Sequence, residues 1–119
     1  MDVSFKTRKL ERILAKKEKI LTTWGHQAGL KVMQRLKELE AAPNLFCLTK
    51  RKSLHFHLLK GDRSGTYAIN VWRGLRMVFE PNHNPPPRLE DGSIDLSRVT
   101  CITILEVGNY HGKQKKNTN

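Results

Sequence analysis

Leu54–Phe79, LHFHLLKGDRSGTYAINVWRGLRMVF, is the stretch on which the fold turns. Leu54, Phe56 and Leu58 alternate with Ser53, His55 and His57, and Tyr67, Ile69 and Val71 alternate with Thr66, Ala68 and Asn70. Leu75, Met77 and Phe79 then alternate with Arg76 and Val78. A period of two over three short runs predicts three strands. Gly61–Gly65 and the Arg73–Gly74 pair supply the turns, so the prediction is an antiparallel meander. Lys60, Arg63, Arg73 and Arg76 fall at its turns or on its polar face, where a sheet lined by cations can seat a phosphate.

Outward from this stretch, the remaining elements complete an α+β plan. On the N-terminal side, Leu10, Ile13, Leu14, Ile20, Leu21 and Trp24 recur at helical spacing within Arg8–Trp24. Lys9, Arg12, Lys16, Lys17 and Lys19 occupy the outer face of that helix. Gly25–Gly29 interrupts it, and Val32, Met33, Leu36 and Leu39 resume the pattern until Pro43. Two helices joined by a break predict a hairpin whose apolar stripe packs on the sheet. Residues 2–5 are expected to form a short edge strand, and Lys50–Lys52 a solvated basic run. On the C-terminal side, Pro81 and Pro85–Pro87 exclude strand or helix interior, so residues 81–98 are expected as an inserted surface loop. Val99–Val107, VTCITILEV, reads as a central strand, and residues 112–119 as a disordered tail. The expected architecture is a helix hairpin packed on a curved, mainly antiparallel sheet of about four strands.

With 119 residues the chain is expected to form one domain. Lys and Arg number 22 against 11 Asp and Glu, a formal charge of +11 that favours a polyanionic partner. The apolar runs are too short to span a membrane, no signal peptide is recognised, and the expected location is the cytoplasm. Cys47 and Cys101 are too few for a disulfide framework and are expected as buried thiols. No familiar ligand spacing joins His55, His57, His83, His111 and Cys47, so no metal is expected. Lys60–Gly61 lacks the context of a phosphate loop, and no serine sits in a G-x-S-x-G elbow.

What remains is RNA cleavage by proton transfer and charge stabilisation. Such a reaction needs a base for the 2′-hydroxyl, an acid for the leaving 5′-oxygen and cations for the phosphorane. His111, placed just past a strand, can exchange a proton near neutral pH; Tyr110 can stack on a base or hold a phosphate. Lys60, Arg63, Arg73 and Arg76 supply charge, and no cofactor is called for.

The chain resembles toxins of the RelE/ParE superfamily, and within it the HigB-like branch, from about Phe5 to His111. The resemblance rests on HLLKGDRSGTYAINV, GLRMVF and the NYH ending, with His57, Lys60, Gly61, Asp62, Arg76, Tyr110 and His111 at the recurring positions. It implies a helix hairpin on a curved sheet and a ribosome-dependent endoribonuclease, with Lys60, Arg76, Tyr110 and His111 catalytic. His57, Arg63, Arg73, Lys9, Arg12, Lys16 and Lys17 are then expected to contact RNA. Its implied partners are the ribosome, mRNA and a neutralising antitoxin with a helix-turn-helix DNA-binding domain. ParE-like relatives share the fold but act on DNA gyrase. A gyrase-directed toxin and a non-catalytic basic nucleic-acid-binding module are therefore the alternatives.

Overall fold

The computed structural model describes residues 1–63 and 65–109. Among these residues three α-helices cover one face of a five-stranded sheet. The strands are β1 (Asp2–Phe5), β2 (His57–Leu58), β3 (Tyr67–Trp72), β4 (Leu75–Pro81) and β5 (Cys101–Asn109), in the order β1-β5-β4-β3-β2. All neighbours are antiparallel except β1 and β5, which run parallel with Asp2 opposite Cys101. Residues 2–5 form the edge strand expected of them, and with the meander and β5 they make five strands where about four were expected. The α+β class is as expected.

The meander forms, with a shorter first strand than the alternation predicts. Residues Lys52–Leu54 make a 3-10 turn and His55 takes a left-handed backbone (φ 52°), which leaves only His57–Leu58 extended. Leu54 is fully buried from within that turn. At the second reversal Trp72 pairs with Leu75 across Arg73 and Gly74, both with positive φ (43° and 84°), as a type I′ hairpin requires. Register shifts between Asn70 and Trp72 and between Val78 and Phe79 mark bulges, which sharpen local twist.

The first predicted helix is in fact two: α1 (Arg8–Leu14) and α2 (Lys17–Trp24). Leu14 and Ile20 are both buried. On an unbroken helix they would lie about 120° apart, so the break lets both face the core. Thr7 caps α1, its hydroxyl accepting from the Leu10 amide at 3.1 Å. The expected five-residue interruption shrinks to Gly25, whose φ of 89° turns the chain directly into α3 (His26–Ala41). Gly29 lies inside α3, where a β-carbon would sit 3.2 Å from the Leu21 Cα and 3.3 Å from the Ile20 carbonyl. That glycine lets α2 and α3 approach closely, and the hairpin is formed by this pair.

Val32 and Leu39 of α3 join Ile69, Met77, Phe79, Ile102 and Ile104 in a core with no solvent exposure. Buried Arg35 ties α3 to the bulged strand: its Nε donates to the Asn70 carbonyl at 2.9 Å and its Nη1 to Glu38 at 2.9 Å. Arg51 completes the network with Glu38 at 3.2 Å, so one member of the basic run has a structural partner. Burial alone would raise the Glu38 carboxyl, but hydrogen bonds from Gln34, Arg35 and Arg51 outweigh it and hold the group below its ordinary range.

Strand β5 begins two residues later than expected. Val99 is buried behind a 3-10 turn over Leu96–Arg98, and the Thr100 and Cys101 amides donate to His83 Nε2 instead of to a strand. Pro81, expected in the loop, instead ends β4 opposite Ile102, and residues 82–98 form the surface loop with its own bonding: Arg88 bridges Ile94, Asp91 accepts from Ser93, and Asp95 from Ser97. Ile94 and Leu96 pack against the core. Cys47 and Cys101 are free thiols, as expected, but only half-buried. No helix among the described residues is long and apolar enough to cross a membrane.

Candidate functional site

The sheet face turned away from the helices carries the polar residues of the meander. Strand register sets two rows across it. One runs His57, Ala68, Val78, Glu106 from β2 to β5; the next runs Asn70, Arg76, Gly108 from β3 to β5. Arg76 is half-buried, lies between Asn70 on β3 and Gly108 on β5, and is diagonal to Glu106. Arg63, in the 3-10 turn Gly61–Arg63 before β3, donates through Nη2 to Glu106 on β5. This ion pair spans the two strands between its members. Ala68 and Val78, at the register positions between them, have no exposure although they lie outside the main core.

The arrangement brings Arg63 and Arg76 to one face and puts exposed Lys60 in the same turn as Arg63, whose amide donates to the Lys60 carbonyl at 3.4 Å. His57 occupies the outer end of the first row, its Nδ1 2.7 Å from the His55 carbonyl. Arg73 sits at the hairpin tip, its guanidinium 4.6 Å from the Trp72 ring centroid, and with Asn109 lines a cleft of about 260 Å³. Tyr110 and His111 lie outside the described residues; β5 ends at Asn109, paired with Leu75 beside Arg76, so the chain enters them at this end of the sheet.

The helix-borne cations are distributed differently. Strand β1 covers β5 only as far as Ile104, so the later half of β5 is an open edge. There Lys9, Leu10 and Ile13 of α1 meet Leu105, Glu106 and Val107 around a cleft of about 270 Å³. Lys9 is thus within reach of the polar face around that edge. Arg12, Lys16 and Lys17 are exposed on the helix layer and are not gathered with Arg76.

Glu106 is the residue that sequence reasoning missed. Its signal was present: one carboxylate within the apolar run VTCITILEV. It draws Arg63 over the face while leaving most of the guanidinium donors to a ligand. Arginine presents a planar fork to phosphate, and two arginines on this face with a lysine in the adjoining turn can stabilise charge that develops on a phosphorane. Among the described residues no group of three or more His, Cys, Asp or Glu is placed to hold a metal ion. No known protein family matches the chain, and no curated protein is significantly similar to it.

Proposed function

We propose that the protein is an RNA-cutting toxin of RelE-like fold, a ribosome-dependent endoribonuclease held in check by an antitoxin with a helix-turn-helix domain. One observation carries this reading: strand register sets Arg76 beside the Arg63–Glu106 pair, on the face next to the strand that leads into Tyr110 and His111. A phosphate seated there meets cations from the β2–β3 turn and from β4. The RNA's own 2′-oxygen attacks phosphorus, a base taking its proton, and the departing 5′-oxygen receives a proton from an acid. His111 is assigned one of these proton transfers, Lys60 and Arg76 the charge stabilisation, and Tyr110 stacking or phosphate contact. Exposed Arg12, Lys16 and Lys17 extend the cationic surface towards ribosomal RNA, each phosphate contact adding about one to the salt slope of binding.

Mapping RNA ends after induction in a bacterial host tests the proposal. Discrete cuts within translated messages, leaving a 2′,3′-cyclic phosphate and a 5′-hydroxyl, are expected. Intact messages with broken DNA would replace the reading with a gyrase-directed toxin.

A further inference from the structure

A cavity of about 710 Å³ lies away from the polar face, at the β2 edge and under the 82–98 loop. Its lining is mostly apolar, with Phe56, Leu58, Ile94 and Leu96 beside Arg88 and His57, and no carboxylate is among the described residues that line it. Leu58 leaves 51 % of its surface exposed, on the core side of the sheet beyond the reach of α3. Here the core face continues past α3 under the loop.

The backbone at this edge is also open. The Leu59 amide donates to the Thr66 carbonyl at 2.9 Å, so the Leu59–Thr66 and His57–Ala68 pairs are the hydrogen-bonded ones of the β2–β3 ladder. Leu58, opposite Tyr67, therefore turns its N–H and C=O away from β3, at the outer edge of the sheet. An edge donor and acceptor beside an apolar groove match the needs of an added strand, whose main chain pairs with the edge while alternate side chains enter the groove. Arg88, whose Nη1 donates to the Gly92 carbonyl, lines the groove with its remaining donors and, in a chain of charge +11, favours carboxylates. A nucleic acid fits less well, since among the described residues Arg88 is the one permanent cation lining the groove.

From this we infer that the groove takes an extended acidic segment of a partner protein, which adds to β2 as a sixth strand, seats a large apolar side chain between Leu58 and Ile94, and sets a carboxylate against Arg88. The inference stands on the groove alone and is independent of the RNA-cutting reading.

The test uses the full chain and a short capped peptide in which glutamate alternates with valine around one central phenylalanine. Saturable binding is expected, with amide shifts at Phe56, Leu58, Ile94 and Leu96 and slowed exchange at the Leu58 amide. Methylating the peptide nitrogens that face β2 should weaken it at least about tenfold, and Arg88→Glu about tenfold, a step of the size expected for one or two lost contacts. Leu58→Asp, at an exposed position, should abolish binding while thermal melting stays close to wild type. Absence of saturable binding, or equal binding of the methylated peptide, overturns the inference. So does displacement of the peptide from these residues by oligouridylate at lower concentration, which would assign the groove to RNA.

Discussion

The two faces of the β3–β4 hairpin are built from alternate residues of the same dozen positions, yet they serve different ends. Towards the helices, Ile69, Met77 and Phe79 have no exposure and are packed by Val32 and Leu39. Towards the other side, Asn70 and Arg76 sit in a row that ends at Gly108, beside the Arg63–Glu106 pair. Fold stability is concentrated on the first face, and the proposed ligand chemistry belongs to the second. Neighbouring substitutions on a single strand should therefore have opposite signatures.

The sharpest way to break that comparison is on β4. Phe79→Ala should lower unfolding free energy by about 3–5 kcal/mol in urea titration, from lost burial and the cavity left behind. Arg76→Ala, three residues away on the other face, should cost about 1 kcal/mol or less. Comparable losses at both positions would show that the polar face is part of the core. On the helix side, Gly29→Val should destabilise by about 1–3 kcal/mol, because the added carbons meet the backbone of α2 at Leu21 and Ile20. At the hairpin tip, Arg73→Val should cost about 1–2 kcal/mol, since a β-branched residue resists positive φ.

The smallest expected effect comes from the Arg35–Glu38–Arg51 network. Glu38→Gln should cost about 1 kcal/mol at neutral pH. Because the Glu38 carboxyl is held below its ordinary 4.5, its contribution is fully present above that pH and is lost as pH falls through the lower folded value. Urea titrations of both proteins should therefore converge in acid below 4.5; a gap independent of pH would assign the loss to packing.

Much of the helix-side face was legible, because alternation reports burial directly: Tyr67, Ile69, Met77 and Phe79 were identified by period alone. The break between α1 and α2 was less so, since Leu14 and Ile20 fit a loose helical beat until their shared burial is imposed. Strand β2 was overread because Leu54 is buried from a 3-10 turn, which leaves the same apolar mark as a strand. The polar face was legible in residue type and not in arrangement. Arg63 and Glu106 are 43 residues apart, and only the register of three strand pairings brings them together. For the same reason the parallel pairing of residues 2–5 with β5, which closes nearly the whole chain, has no local signature.

The central claim is that the polar face, with the segment β5 leads into, cleaves RNA. Its most direct test is single-turnover cleavage of mRNA on programmed ribosomes by wild type and by Lys60→Ala, Arg76→Ala and His111→Ala, with ribosome binding measured separately. Loss of charge stabilisation should slow Lys60→Ala and Arg76→Ala by about 10²- to 10³-fold, and loss of a proton carrier should slow His111→Ala by about 10²- to 10⁴-fold. The losses should be non-additive when combined, because groups serving one transition state fail together. Three variants that bind the ribosome and cut at the wild-type rate would contradict the claim.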